Sequence, residues 1–363
     1  MTGLFGGIGH AESGGRSFDP AKLRPGHWAE LPNTDISKVV PKETPSFKAW
    51  GVIGPRAIIT AWSTASFDAE AMEIHINHQG GHSDYGGNED YRLKLFDGEG
   101  WIRWSDPSQL DTTPPYYTPI GTPRPRSTHG WGGAVWVPPL KAAFNGGRAL
   151  FPSGDGQQLW LTYPDTGTYE KLALPTPQPY YNPDSLHAVW DPNRKLVLNF
   201  RFNTEKFDPA TKQVTILPGH IGNTQSFWAG AASYDPDTQT GAFFSGSTLV
   251  LVDCRDLSRM NRRAFPTLAG LPEGVNAAHF GIDYLPRAKK FVLWAGGRAT
   301  YLLDHKPATP TLTVLPNLDG PEPPKSTTAG SVYGRWKYVP KYDLFWGLDW
   351  YPGNVFVWKV PKE

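Results

Sequence analysis

Residues 190–200 read "WDPNRKLVLNF": an aromatic, an Asp-Pro pair, two cations, then an apolar run. Asp-Pro is a turn former, because proline sets φ at the second turn position and Asp accepts local backbone N–H groups. The run that follows has the length of a strand and not of a helix. One tight turn feeding one short strand is therefore the unit to look for elsewhere.

It recurs. An aromatic followed two positions later by Pro stands at Trp136, Trp190, Tyr234, Tyr284 and Tyr338, with a weaker copy, "FDA", at Phe67. The intervals are 69, 54, 44, 50 and 54 residues. A short apolar strand follows each triplet, as in "MEIHI", "GAFFSG", "KFVLWAGG" and "DLFWGL". Further β-rich runs come next, among them "YRLKLF", "QLWLTY", "STLVLVD" and "ATYLLD", then a short fourth strand such as "GWIRWSD", "QVTILP" or "LTVLP". Four strands per unit at a period near 50 is the pattern of propeller blades. Six units are visible, so the expected fold is all-β, a six-bladed β-propeller.

The ends predict how the ring closes. The sixth unit stops after its third strand, "VFVWKVPKE", while "HWAELPN" (27–33) is a strand-like piece without a unit. The second completes the first and removes the open sheet edges. Residues 1–26 hold seven Gly and little apolar periodicity, and read as an extended N-terminal arm. Residues 27–363 form the propeller. The Pro/Thr-rich stretch from Asp106 to Arg126 reads as a long surface loop and accounts for the longest interval.

Composition agrees and narrows the function. Gly 39 and Pro 36 are too many breakers for a mainly helical chain of 363 residues. Trp 15, Tyr 15 and Phe 18 are too many aromatics for disorder. A net charge of +1 argues against a general nucleic-acid binder. The single Cys254 excludes an intrachain disulfide scaffold and reads as a buried structural thiol. No apolar run is long enough to span a membrane. No basic start with an apolar core opens the sequence, so the expectation is a chain made in a bacterial or host cytoplasm without a signal peptide.

The stretch "GGHSDYGGNEDYRLKLFDGEGWIRWSDPS" (80–108) resembles the kelch repeat, with Gly80-Gly81, Tyr91 and Trp101 or Trp104 as its Gly pair, Tyr and Trp. It is similar, more narrowly, to kelch-type propellers of bacterial and bacteriophage genomes that carry "GGHSDYxGNE". The resemblance implies a propeller and, through its phage members, a non-enzymatic structural or interaction protein of a virion: a decoration, collar or tail component. Its partners would be other virion or assembly proteins, reached through residues 1–26.

Candidate site residues follow from blade equivalence. Around the start of each inner strand stand Trp62, His129, Trp131, His187, Trp228, His279, Tyr333 and Arg335, which in a propeller form a ring at the channel mouth. Aromatics with His and Arg suit a sugar such as a host-surface glycan; the alternative is blade-to-blade packing. In the Gly-rich loop, His82, Asp84 and Tyr85 read as a binding or acid–base group, or as a structural turn. His75 and His78 lie three apart on a strand and point to opposite faces, so no metal site is expected. No cofactor motif occurs. A glycan-active enzyme is the third reading, and it needs two carboxylates across a cleft. The cluster "DCRDLSRMNRRAF" (253–265) mixes Arg with acids and reads as a solvated connection.

Overall fold

A computed structural model describes residues 18–42, 53–81, 84–111, 118–119, 123–148, 157–174, 186–200, 204–218, 230–325 and 331–362. They form six four-stranded antiparallel sheets arranged as the blades of a propeller. The inner strands are Ser66–Asp68, Ala134–Val137, Ala188–Asp191, Ala232–Asp235, Gly281–Leu285 and Trp336–Val339. Each runs outward through hairpins; the third blade, for example, continues through Leu196–Asn199, Glu205–Asp208 and Gln213–Ile216.

The repeated turn has one geometry in all six blades. Five residues after each triplet aromatic, the chain takes a left-handed φ: Met72, Lys141, Lys195, Gln239, Lys289 and Asp343, between 47° and 57°. A non-glycine residue in that region closes a short hairpin. Where the middle residue is Asp, its carboxylate caps the turn. Asp68 Oδ1 accepts from Glu70 and Ala71, Asp191 Oδ1 from Asn193 and Arg194, and Asp235 Oδ1 from Asp237 and Thr238. Where it is Val, in the second and sixth blades, the prolines open a single 3-10 turn.

Closure follows the expected route. Trp28–Glu30 pairs antiparallel with Phe356–Lys359, Trp28 opposite Trp358, and supplies the fourth strand of the sixth blade. Trp28 is 2% exposed and packs on Trp294, Trp336 and Trp358, with ring centroids 5.5, 6.0 and 6.2 Å away. Its indole N–H donates to Arg298 O and Asn317 Oδ1, both at 3.1 Å. The N-terminal strand thus touches the fifth blade as well as the sixth. Phe18 and Leu23 pack on the core between the sixth and first blades, and residues 1–17 lie outside the described residues. Within the expected 106–126 loop, Leu110–Asp111 and Thr118–Pro119 form a two-stranded hairpin.

Rings join every pair of neighbouring blades. The pairs are His75–Trp136, Phe144–Phe207, Phe200–Phe243, Phe244–Phe280, Trp294–Trp336 and, from first to sixth, Phe67–Trp346. Centroid separations run from 4.8 to 5.8 Å. Two glycines make room for them: a Cβ on Gly241 would lie 2.4 Å from the Phe200 ring, and one on Gly347 2.4 Å from the Trp294 ring. Replacing Trp28 by Ala removes a ring shared by two blades and the indole N–H bonds to Arg298 O and Asn317 Oδ1. The expected loss, read by denaturant unfolding, is about 3–5 kcal/mol; a loss under about 1 kcal/mol would show that closure does not rest on this strand.

Candidate functional site

Among the residues at the start of the inner strands, Trp62, His129 and Trp131 come together, packed ring against ring. Trp62, Trp131 and Tyr333 occupy equivalent blade positions and share a left-handed φ of 49°, 42° and 47°. A bulky residue there is strained and is held by its surroundings. Here the hold is a chain of backbone bonds: Trp131 N–H donates to Trp62 O at 2.8 Å, and Gly334 N–H donates to Trp131 O at 3.2 Å. The His129 ring lies tilted against Trp62 at 4.8 Å and edge-on to Trp131 at 5.4 Å. Its Nε2 lies 2.8 Å from Asp84 Oδ2, so loop residue Asp84 joins this group.

The other members are spread out. Arg335 is fully buried, and its guanidinium donates to the carbonyls of Leu348, Ser63 and Ser331 at 2.7–2.9 Å. Burial pulls its pKa down to about 10, so it stays charged at neutral pH. It ties the sixth blade to the first. His187 is also fully buried, with ring nitrogens 3.2 and 2.8 Å from Phe200 O and Phe244 O. Tyr333 is 4% exposed, and burial raises its hydroxyl to about 12. His279 is half-buried beside Asn276, its pKa lowered by burial and by Lys325. Trp228 and His82 lie outside the described residues.

The Gly-rich loop builds a buried polar latch. Tyr85 and Tyr91 both donate their hydroxyls to Glu89 Oε1, at 2.9 and 2.8 Å. Glu89 is 2% exposed, and burial pushes its carboxyl up to about 7. Next to it, Asp90 accepts from Asn77, Ser105 and Tyr169, the last a residue of the second blade. Tyr85 is therefore a strut of the first blade. His75 stacks on Trp136 and His78 lies 3.6 Å from Asp90, and among the described residues no group of three His, Cys, Asp or Glu is placed to hold a metal. Cys254 is buried, its thiol raised to about 12 by desolvation. In the basic cluster, exposed Arg255 pairs with Asp253.

The open part of the axis is at the other end. A cavity of about 760 Å³ opens between the first-to-second-strand turns of blades one and two. Its wall carries Phe67, Trp136, Trp190, Tyr234 and Tyr338, five of the six triplet aromatics. Asp283 sits deeper, its Oδ1 accepting from Ser233 at 2.9 Å and its Oδ2 from the Tyr338 N–H at 2.8 Å, which links blades four, five and six. At the rim stand Asp68, Glu70, Glu73, Asp165 and Lys141. Burial raises the Glu73 carboxyl, Arg92 opposes the rise, and the charges of Asp165 and Asp68 add to it. Apolar ring faces beside carboxylates suit a ligand with C–H faces and many donors. Sequence reading took the triplet aromatics as turn markers. The signal that they line one cavity was their own equivalence from blade to blade.

No protein-family model and no curated protein sequence matches the chain. Solved structures do. A structural-genomics protein of unknown function from Bacteroides thetaiotaomicron is 8% identical with a TM-score of 0.50, over 85% of this chain and 74% of that one. An auxiliary nutrient binding protein from the same organism is 10% identical with a TM-score of 0.48, over 81% and 68%. At such identities the likeness is one of fold.

The latch predicts a pH effect. The folded chain keeps a proton on Glu89 that the unfolded chain releases. Stability from this group is whole below about pH 4.5 and is lost as pH rises through about 7. His75 works in the opposite sense. Burial holds it near 3, so its contribution is whole above 6.5 and is lost as pH falls. The difference between wild type and Glu89→Gln removes the His75 part. That difference should shrink steadily between about pH 4.5 and 7; a flat difference would remove the buried-proton account.

Proposed function

We propose that the protein is a non-catalytic binding propeller that holds a carbohydrate in its axial cavity. The observation that carries this reading is the convergence of five repeat aromatics on one cavity with a carboxylate rim. Sugars present apolar C–H faces to rings and hydroxyl donors to acids, so both halves of the lining have a use. Trp190 and Phe67 are only half-buried, so their rings are within reach of a ligand.

The blade type we assign is kelch, supported by the spacing of Gly80-Gly81, Tyr91 and Trp101. The setting we assign is a bacteriophage virion, as a structural or interaction component, supported by the likeness of residues 80–108 to phage-encoded propellers. A glycan-binding cavity would then serve receptor recognition. One observation favours a second reading, glycan hydrolysis: Glu73, a carboxyl raised by burial, shares the rim with Asp165. Two carboxyls on one rim, one of them raised by burial, are what that chemistry needs.

Three measurements separate these readings. On a glycan array, Trp190→Ala should lose the wild-type hits, with Kd rising about thirtyfold, or about 2 kcal/mol, and with an unchanged circular-dichroism spectrum. Unchanged binding would remove the cavity as the site. Release of reducing ends by wild type but not by Glu73→Gln would replace binding with hydrolysis. Sedimentation from the native source tests the setting: travel with a megadalton particle supports a virion component, and travel as a free 40.1 kDa chain or small multiple rejects it.

A further inference from the structure

The rim of the axial cavity is unbalanced in charge. Asp68, Glu70, Glu73 and Asp165 stand there, with Asp283 further in, against two lining cations, exposed Lys141 and half-buried Lys337. The four rim acids come from two hairpins of adjacent blades, the one after the first strand of blade one and the one after the third strand of blade two. Arg92 lies 3.9 Å from Glu73 Oε1 and cross-strand Lys94 adds its attraction, and both lie outside the lining.

A second observation points the same way. His75 is 2% exposed, lines the cavity and stacks on Trp136 at 4.8 Å with an interplanar angle of 5°. Burial and the nearby Arg92 keep this imidazole neutral. A neutral imidazole has one acceptor nitrogen. Its Nε2 lies 3.7 Å from Glu73 Oε1, and its Nδ1 has no hydrogen-bond partner. The acid edge of the cavity therefore combines carboxylate acceptors with the negative faces of Trp136, Trp190 and Phe67. Such a lining attracts a group that only donates and carries positive charge, through ion pairing and cation–π contact.

We infer that the ligand of this cavity is cationic, a sugar with a free amine whose ammonium sits between the Glu73 and Asp165 carboxylates and the aromatic wall. The amine class rests on the carbohydrate reading of the same cavity; the preference for positive charge rests on the rim and on His75.

The test is calorimetric titration of the full chain with three probes. They are a glucosamine trisaccharide with free amines, its fully N-acetylated counterpart, and tetramethylammonium. Wild type is expected to bind the amine form at least about tenfold more tightly than the acetylated one, a preference that weakens with added salt. Asp165→Asn, at an exposed position, should abolish the preference and leave the melting temperature unchanged, and Glu73→Gln should do the same to the preference. Equal binding of both trisaccharides overturns the inference and leaves the carbohydrate reading standing. Binding of tetramethylammonium that is lost in Asp165→Asn, with neither sugar bound, keeps the cationic preference and removes the carbohydrate reading. No binding of any probe overturns both.

Discussion

Six ring contacts between neighbouring blades carry this structure. A propeller blade is a small twisted sheet with two faces, and it can bury them only against the next blade. Each interface here has at least one aromatic pair, from His75–Trp136 to Phe67–Trp346 across the closing seam. Rings deliver much apolar area per residue at low entropic cost. The glycines at Gly241 and Gly347 are the matching sockets, since any side chain there would occupy the space of a neighbour's ring. Ion pairs add little: several of the strongest, such as Arg255–Asp253, lie on the exposed surface.

The two ends of the axis then acquire different characters from one constraint. Where the inner strands begin, the chain must cross from the rim of one blade to the centre of the next. Those crossings meet at the axis, and Trp62, Trp131 and Tyr333 are held there in left-handed backbone by one another's carbonyls. Buried Arg335 satisfies the crossing carbonyls of Ser63 and Ser331, and buried His187 lies against the carbonyls of Phe200 and Phe244. Where the inner strands end, the chain turns back at once through a hairpin of fixed geometry. Among the described residues, those on these turns line the cavity that opens there and form its rim.

Much of this was legible beforehand. The Ar-x-Pro triplets marked the six units because a tight hairpin needs the same turn chemistry each time, and the left-handed residue five positions on is the structural form of that repeat. The closing strand was legible too, because "HWAELPN" had no unit of its own and the last unit lacked a strand. The mouth residues were picked by a sound equivalence, and Trp62, His129 and Trp131 do meet. What periodicity could not say was that Arg335 and His187 are buried against backbone carbonyls. The loop motif was similarly half-read: Asp84 meets His129, whereas Tyr85 turns inward to Glu89.

By itself, the sequence determined the blade count, the turn chemistry, the closing strand and the aromatic supply, because all four are local or periodic and need no knowledge of distant neighbours. Only the tertiary structure decided which end of the channel is open, that five turn-marking aromatics share one wall, and that Asp68, Glu73 and Asp165 share one rim. Those facts depend on how each blade is rotated against the next. That rotation is set by how the rings pack across six interfaces, and no single stretch of chain contains it.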